Sequence, residues 1–247
     1  MAEGGHQPAL IVAKSGDFGS AALTALGQAI ADLEAPVIGL PTGRTPVPVY
    51  EEMARQSFAF PPRTALFAID EYCTPSPHPG TNATFFERYL PASRFPATRI
   101  PRHDAANPDV EISEFCRGIV LAGGFDVAVV GIGMNGHIAF NEPGSEPTSA
   151  CRVVALSAET RAQVAGEWET VPARGMTVGM AQILTARRVI LLARGEAKAA
   201  ILAAALSGRV TTGLPASLLQ GHAALTVVCD SGAASRLWKG VTPQDSA

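Results

Sequence analysis

The clearest indication of the fold class is the stretch Phe125-Asp126-Val127-Ala128-Val129-Val130-Gly131-Ile132-Gly133. Its apolar part, residues 125–130, is typical of a strand that is buried on both faces within a parallel sheet. The glycines that follow permit a tight turn and the close approach of a ligand to the backbone. Because crevices in open α/β sheets form at the carboxyl ends of the strands, we expect a binding site in the loop that begins at Gly131.

The same alternation of short apolar runs with helix-like segments extends over most of the chain. Strands are predicted at residues 9–13, 37–40, 65–69, 126–130, 153–156, 189–193 and 225–229, and helices at 17–33, 46–55, 82–90, 110–121, 178–184 and 197–206. This rhythm indicates crossover units and therefore an α/β fold with a parallel sheet. Thr45 with Pro46 is expected to cap the second helix, and Gly208 to close the last one.

Length and composition fit a single α/β domain. The 247 residues are 47% hydrophobic and can bury a large core. We therefore predict one domain over residues 1–247, with short loose tails at 1–7 and 240–247. The formal net charge is -3 and the charged residues are spread along the chain. No basic face for a nucleic-acid backbone is visible, so nucleic acid is not an expected partner.

No segment predicts secretion or insertion into a membrane. The first eight residues lack a basic start followed by an apolar segment, and the alanine-rich stretch 197–206 is only about three helical turns long. The four cysteines are widely spaced and lack the spacing of a zinc site, which indicates reduced thiols. We expect a cytoplasmic protein that binds no metal. Monomer and homo-oligomer both stay open, because interface and core residues follow the same pattern.

The loop after the strand at 126–130 carries a high density of polar side chains. Asn135, His137, Asn141 and Glu142 lie within eight residues, flanked by apolar chain. Imidazole is the side chain best suited to moving protons near neutral pH, and buried polar groups need hydrogen-bond partners. A lone histidine is more often structural, but this combination favours a catalytic role.

Two turns between a strand and a helix could bind an anion. The first joins the strand at 37–40 to the helix at 46–55, and there free N–H groups and the helix dipole favour negative charge. A glycine, two hydroxyls and a guanidinium could contact the anion. These residues are Thr42, Gly43, Arg44 and Thr45. In the second turn, Lys198 lies against the preference of the helix dipole, which indicates an anionic ligand. Taken singly, a plain capped turn and an exposed surface lysine would explain the two segments about as well.

A third strand end carries two adjacent carboxylates, Asp70 and Glu71. Successive residues of a strand point to opposite faces, so only one of them is expected to reach a given ligand. Asp70 adjoins the apolar run, and burial there would raise its pKa and strengthen it as a base. The alternative is that both acids are solvated or cap a helix.

The string Gly136-His137-Ile138-Ala139-Phe140-Asn141-Glu142-Pro143 resembles the signature of the glucosamine-6-phosphate deaminase family. Similarity extends from about Leu40 to Asp230 and includes the Asp-Glu-Tyr string at 70–72 and the segments 171–179 and 227–230. The resemblance implies a Rossmann-like three-layer sandwich around a mainly parallel sheet.

The resemblance also implies a reaction. A phosphorylated amino sugar, glucosamine 6-phosphate, would be isomerised and deaminated to fructose 6-phosphate and ammonia, without a metal or organic cofactor. Asp70 would abstract the C2 proton and His137 would serve ring opening, while Glu142 and Asn135 would orient and polarise the imidazole. The implied phosphate contacts are Gly43, Thr45 and Lys198, and Gly136 is a further expected substrate contact.

Two departures from the family pattern change individual roles. Asn135 stands where some relatives have Asp, and because an amide does not titrate it can only orient its neighbours. The segment 161–172 is shorter than in relatives that bind phosphate with an arginine there, and Gly166 falls near that point. We therefore hypothesise that Arg44 supplies the missing positive charge.

Two other functions compete with the deaminase prediction. A 6-phosphogluconolactonase-type hydrolase shares the fold and the phosphate loop, but its family has Gly-His-Thr-Ala-Ser-Leu-Phe-Pro after the glycines, and Glu142 favours the deaminase. A non-catalytic sugar-phosphate sensor would need a DNA-binding segment. With a strand predicted from Ala9 and no basic helix elsewhere, we expect no such segment.

Overall fold

The computed structural model describes residues 8–14 and 16–237, so the predicted tails at 1–7 and 240–247 lie outside the described residues. A single domain over the full length stays a prediction. The strands are β1 (Ala9–Ala13), β2 (Val37–Leu40), β3 (Ala65–Ala68), β4 (Asp70–Tyr72), β5 (Thr98–Arg99), β6 (Val127–Gly131), β7 (Arg152–Ala155), β8 (Arg174–Thr177), β9 (Arg188–Ala193) and β10 (Leu225–Asp230).

The helices are α1 (Phe18–Ile30), α2 (Val47–Arg55), α3 (Asn82–Tyr89), α4 (Pro108–Leu121), α5 (Ala158–Val164), α6 (Met180–Leu184), α7 (Ala199–Ser207) and α8 (Ser231–Ala234). Two short 3₁₀ helices span Glu196–Lys198 and Pro215–Gly221. Of the helices in the part of the chain that the structure describes, none is both long and apolar enough to cross a lipid bilayer.

Seven strands form one parallel sheet in the order β1-β10-β9-β6-β2-β3-β5, which confirms the predicted α/β fold. The sheet has an apolar core on each face. In β6, Val127 and Val129 pack into one core, while Ala128 and Val130 pack into the other, because successive side chains of a strand point to opposite faces. Helices α1, α2 and α3 cover the first face, and α4, α6, α7 and α8 cover the second.

A second sheet of three antiparallel strands, in the order β4-β8-β7, departs from the predicted crossover rhythm. The chain leaves the main sheet at Ile69, whose N–H donates to Leu40 and whose carbonyl accepts from Val178. The carboxylates at 70 and 71 therefore begin a separate strand, and the strand predicted at 153–156 pairs with β8. Strand propensity does not specify which strand becomes the partner, so the sequence could not reveal this pairing.

Two predictions about helix starts are wrong. Thr45 is not the N-cap of α2: Pro46 occupies that position in a helical conformation, and no side chain among the described residues caps the helix. The helix predicted at 197–206 begins as a 3₁₀ turn, so Lys198 precedes the first turn of α7 instead of lying in it. Gly208 is the C-cap of α7 as predicted, and its N–H donates to Ala204.

The strand order brings the predicted site segments to one edge of the main sheet. Strands β9, β6, β2 and β3 are consecutive neighbours in the sheet and run in the same direction. The turn with Lys198 follows β9, the histidine loop follows β6, the segment 41–46 follows β2, and Asp70 comes shortly after β3. Parallel strands end at the same edge, so four segments that are distant in sequence meet there.

Candidate active site

The predicted site segments line one cleft at the carboxyl edge of the main sheet. The cleft encloses about 760 Å³, including the part that is open to solvent. The predicted residues that line it are Thr42, Gly43, Arg44, Thr45, Asp70, His137 and Lys198. Asn135 and Glu142 do not line the cleft. Asn135 contacts the imidazole of His137, and Glu142 contacts Asn135.

Asp70 and Glu71 diverge as the alternation of strand side chains predicts. Asp70 lines the cleft and is 8% exposed, whereas Glu71 is fully buried on the opposite side of β4. The Glu71 carboxylate accepts hydrogen bonds from the backbone N–H groups of Asn82 (2.9 Å) and Ala83 (2.8 Å), at the start of α3. Glu71 is therefore a helix cap, and Asp70 is the carboxylate available to a ligand.

The environment of Asp70 suits a general base. Burial, together with the nearby Glu71 carboxylate, raises the pKa of Asp70 to about 7, while a hydrogen bond from Asn82 opposes the rise. A base with a pKa near the working pH combines a substantial ionised fraction with a strong affinity for the proton. A pKa of about 7 leaves both the protonated and the ionised form of Asp70 populated at neutral pH.

His137 is held with a defined tautomer. Its Nδ1 lies 2.8 Å from Oδ1 of Asn135, and Nδ2 of Asn135 donates to Oε2 of Glu142 at 2.9 Å. A carboxylate only accepts, so the amide of Asn135 must turn its oxygen toward the ring, and Nδ1 must carry the hydrogen. The Nε2 lone pair is left available for proton transfer. The ring also lies against Gly133, where a Cβ would overlap it.

Glu142 supports this arrangement electrostatically. Its Oε2 lies 3.8 Å from Nδ1 of His137, and its Oε1 accepts from the N–H of Ser157 at 3.2 Å. Burial raises the pKa of Glu142, but hydrogen bonds from Thr160 and Asn135 outweigh it and keep the pKa below its ordinary value. Burial lowers the pKa of His137, and the Glu142 charge opposes that change. The acid is therefore ionised and the imidazole neutral at pH 7.

Asn141, the remaining polar residue of the histidine loop, has a structural role. It is fully buried, and its Nδ2 donates to the carbonyls of Ile138 and Val178, while its Oδ1 accepts from Arg152.

Ala139, which lines the cleft, adopts a left-handed conformation with φ 51°. This conformation is costly for a residue other than glycine and persists only where the surroundings fix it.

Gly43 and Lys198 make part of the cleft lining suited to an anion. Gly43 has φ +89°, a conformation that side chains other than glycine rarely adopt, and it exposes the backbone of the turn. Lys198 follows Gly195, whose N–H donates to both carboxylate oxygens of Asp230 at 3.0 Å. Burial lowers the pKa of Lys198 to about 8, so its ammonium is still mostly charged at pH 7.

Two further predicted contacts have different surroundings from those expected. Arg44 lines the cleft with a largely exposed side chain, and its Nη2 donates to the carbonyl of Gln163 at 2.7 Å. Gly136 is not among the residues that line the cleft, and its role as a substrate contact stays a prediction. It has φ +81° and lies under Leu214, which a Cβ would overlap. Its carbonyl accepts from the N–H of Ala216, so Gly136 shapes the loop from behind.

Sequence reasoning missed residues that support the site from other segments. Asn82 donates from Nδ2 to Oδ1 of Asp70 at 2.6 Å, and Thr160 places its hydroxyl 3.2 Å from Nδ1 of His137. Thr160 and Gln163 of α5 also line the cleft. Each is a single polar residue in a helix, and nothing in its neighbours marks it, so only the folded chain reveals it.

Comparison with known proteins gives a consistent family. A family model described as glucosamine-6-phosphate isomerases/6-phosphogluconolactonase matches residues 15–228. A glucosamine-6-phosphate deaminase of Beutenbergia cavernae is 35% identical, with 92% of each chain covered. The enzyme of that name from Rhodopirellula baltica is 38% identical over 83% of this chain and 86% of its own.

Solved structures agree with these relatives. One described as a monomeric glucosamine-6-phosphate deaminase has a TM-score of 0.84 and 28% identity, and covers 92% of this chain and 99% of its own. A 6-phosphogluconolactonase from Trypanosoma cruzi has a TM-score of 0.79 at 19% identity, covering 96% of this chain and 100% of its own, which shows a shared fold.

Proposed function

Because the chain belongs to the family of glucosamine-6-phosphate isomerases and 6-phosphogluconolactonases, we propose that it converts glucosamine 6-phosphate and water to fructose 6-phosphate and ammonia. The observation that carries this proposal is the cleft itself. The turn at residues 42–45, the Lys198 ammonium, the Asp70 carboxyl and the His137 ring all line it. The names of relatives at 34–38% identity support the deaminase within this family.

The phosphate of the sugar would bind first to the two turns at the carboxyl ends of β2 and β9. The donors there include the backbone N–H of Gly43, the hydroxyl of Thr45, the guanidinium of Arg44 and the ammonium of Lys198. Anchoring the phosphate fixes the other end of the sugar near Asp70 and His137. Holding reactants in this way removes much of the entropic barrier to reaction.

Ring opening would be the task of His137. Since Nδ1 donates to Asn135, Nε2 can accept the proton of the anomeric hydroxyl and return it to the ring oxygen. The transient imidazolium would be stabilised by the ionised Glu142, 3.8 Å from Nδ1. The product of this step is the open-chain aldehyde.

Isomerisation and loss of ammonia would then depend on Asp70. Its carboxylate removes the C2 proton while the substrate ammonium at C2 passes one proton to the C1 oxygen, which gives an enolamine. Asp70 returns its proton to C1, and C2 becomes an iminium carbon. Water adds to the iminium carbon C2, and the C2 nitrogen then leaves as ammonia, which gives the ketone of fructose 6-phosphate. One water is consumed for each ammonia released.

The test is to incubate the protein with glucosamine 6-phosphate and to measure ammonia and fructose 6-phosphate in the same sample. We expect equal amounts of both, and a loss of about 10²–10⁴-fold in kcat for Asp70→Asn. Ketose formed without ammonia from an unaminated sugar phosphate would indicate an isomerase. Acid released from 6-phosphogluconolactone, with no turnover of the amino sugar, would indicate the hydrolase and refute the proposal.

A further inference from the structure

A chain of hydrogen bonds joins the anion-binding turn to the Asp70 carboxyl. The hydroxyl of Thr42 donates to Oδ1 of Asn82 at 2.8 Å. Nδ2 of Asn82 donates both to Oδ1 of Asp70, at 2.6 Å, and to the Asp70 carbonyl, at 2.8 Å. Asn82 is 3% exposed and Asp70 is 8% exposed, so the hydrogen bonds between these two residues are largely shielded from water, and Thr42 is half-buried.

The direction of each hydrogen bond is fixed by chemistry. A backbone carbonyl only accepts, so the Asn82 amide must turn its nitrogen toward Asp70 and its oxygen toward Thr42. Thr42 must then be the donor. Its single hydroxyl hydrogen is used on Asn82 and is not available to a phosphate at the same time.

We propose that Asn82 is a positioning residue that couples the anion-binding turn to the catalytic carboxylate, and that Thr42 acts through Asn82 instead of contacting the phosphate. This inference rests on the proposed function for the role of Asp70. Asn82 fixes the orientation of the carboxyl, and its N–H hydrogen bond favours the ionised form that can accept a proton. Thr42 holds Asn82 in that position.

The surrounding groups explain why this donor is needed. The titratable groups that act on or near Asp70 are Glu71, Tyr50 and Tyr72, and none of them stabilises a negative charge on Asp70. The phenol of Tyr50 donates to the carbonyl of Pro41 at 2.6 Å, which holds the start of the turn. His137 and Lys198 line the same cleft, but Asn82 is the side-chain donor that contacts the carboxyl.

Two variants test the inference: Thr42→Val, which is isosteric, and Asn82→Ala, which truncates the side chain. For Thr42→Val we expect kcat to fall about 10-fold, while the inhibition constant of inorganic phosphate stays within about 2-fold. For Asn82→Ala we expect the acidic limb of the kcat profile to move up by about one pH unit. The double variant should be no worse than Asn82→Ala, because both changes break the same chain. Thr42→Ser, which keeps the hydroxyl, should retain the kcat and the pH profile of the wild type.

The matched control is Thr84→Val. Thr84 lies on α3, as Asn82 does. Thr84→Val removes a hydrogen bond from the Thr84 hydroxyl to the carbonyl of His78 (3.1 Å) but no hydrogen bond to Asp70. It should keep kcat and the pH profile. A rise in the inhibition constant of phosphate for Thr42→Val with unchanged kcat would overturn the inference, as would additive losses in the double variant. Should Asn82→Ala fail to fold, the pair Thr42→Val and Thr42→Ser decides alone.

A second readout separates this inference from the proposed function. The titration of the Asp70 carboxyl can be followed by carbon NMR without any substrate. We expect its midpoint to rise by about one pH unit in Asn82→Ala and by less in Thr42→Val. If wild-type protein releases no ammonia but the midpoint moves as expected, the proposed reaction fails and the coupling stands. An unmoved midpoint in both variants would refute the coupling whatever the reaction.

Discussion

Replacing Asp70 by Asn should stabilise the folded protein at alkaline pH while lowering kcat by about 10²–10⁴-fold. Asp70 is a nearly fully buried carboxyl, and burial with the Glu71 charge raises its pKa from 3.8 to about 7. At pH 8 the carboxyl is forced to ionise in an environment that disfavours the charge. An amide of the same shape avoids that cost and still accepts the hydrogen bond from Asn82.

The sign and size of the effect follow from proton linkage. A folded-state pKa above the unfolded value stabilises the protein below pH 3.8, and this stabilisation is lost as the pH rises through about 7. The interval from 3.8 to about 7 corresponds to an upper limit of roughly 4 kcal/mol. Wild type should thus lose about 2 kcal/mol relative to Asp70→Asn between pH 5.5 and pH 8.

Urea unfolding followed by circular dichroism at pH 5.5 and pH 8 measures this difference. Comparing the two proteins in the same buffers cancels the other titrating groups. Asp104→Asn removes an exposed carboxyl and serves as the control for the loss of one charge. A difference between wild type and Asp70→Asn that does not change with pH would refute the reasoning, and so would a variant that is less stable at pH 8.

Three other predictions concern residues in and around the cleft. Because burial lowers the pKa of Lys198 to about 8, the Michaelis constant for the sugar phosphate should rise about 10-fold for each pH unit above 8, and Lys198→Arg, which stays charged, should abolish the rise. Gly133→Ala should lower kcat by about 100-fold with little loss of phosphate binding, since a Cβ would displace the His137 ring; full activity in this variant would contradict the site geometry. Arg44→Ala should raise the Michaelis constant if Arg44 replaces the missing phosphate-binding arginine. An unchanged constant, measured beside Arg63→Ala as a surface control, would show that Arg44 makes only its protein contacts, with the Gln163 carbonyl and the Glu167 carboxylate.

Local patterns were enough to predict most of the main sheet. Residues 126–130 are apolar at every position after Asp126, which happens only where both faces of a strand are covered, and the prediction of a parallel strand there is confirmed. The antiparallel sheet was not predicted, because β8 contains Arg174 and Gly175 and shows no regular alternation. The strands that pair in this sheet depend on the chain leaving the main sheet at Ile69, and the composition does not specify that position.

The sequence by itself determined the α/β class, the strand ends that carry the polar groups, and a histidine loop dense enough in amides and acids to predict chemistry. These features depend on residues that are neighbours in the chain, so the periodic sequence patterns of strands and helices reveal them. Only the tertiary structure decided that Asp70 faces the cleft while Glu71 caps a helix, that Gly136 supports the loop from behind, and that Asn82 links Thr42 to Asp70. Hydrogen bonds between residues 40 positions apart depend on how the segments pack in space, and no local period encodes that geometry.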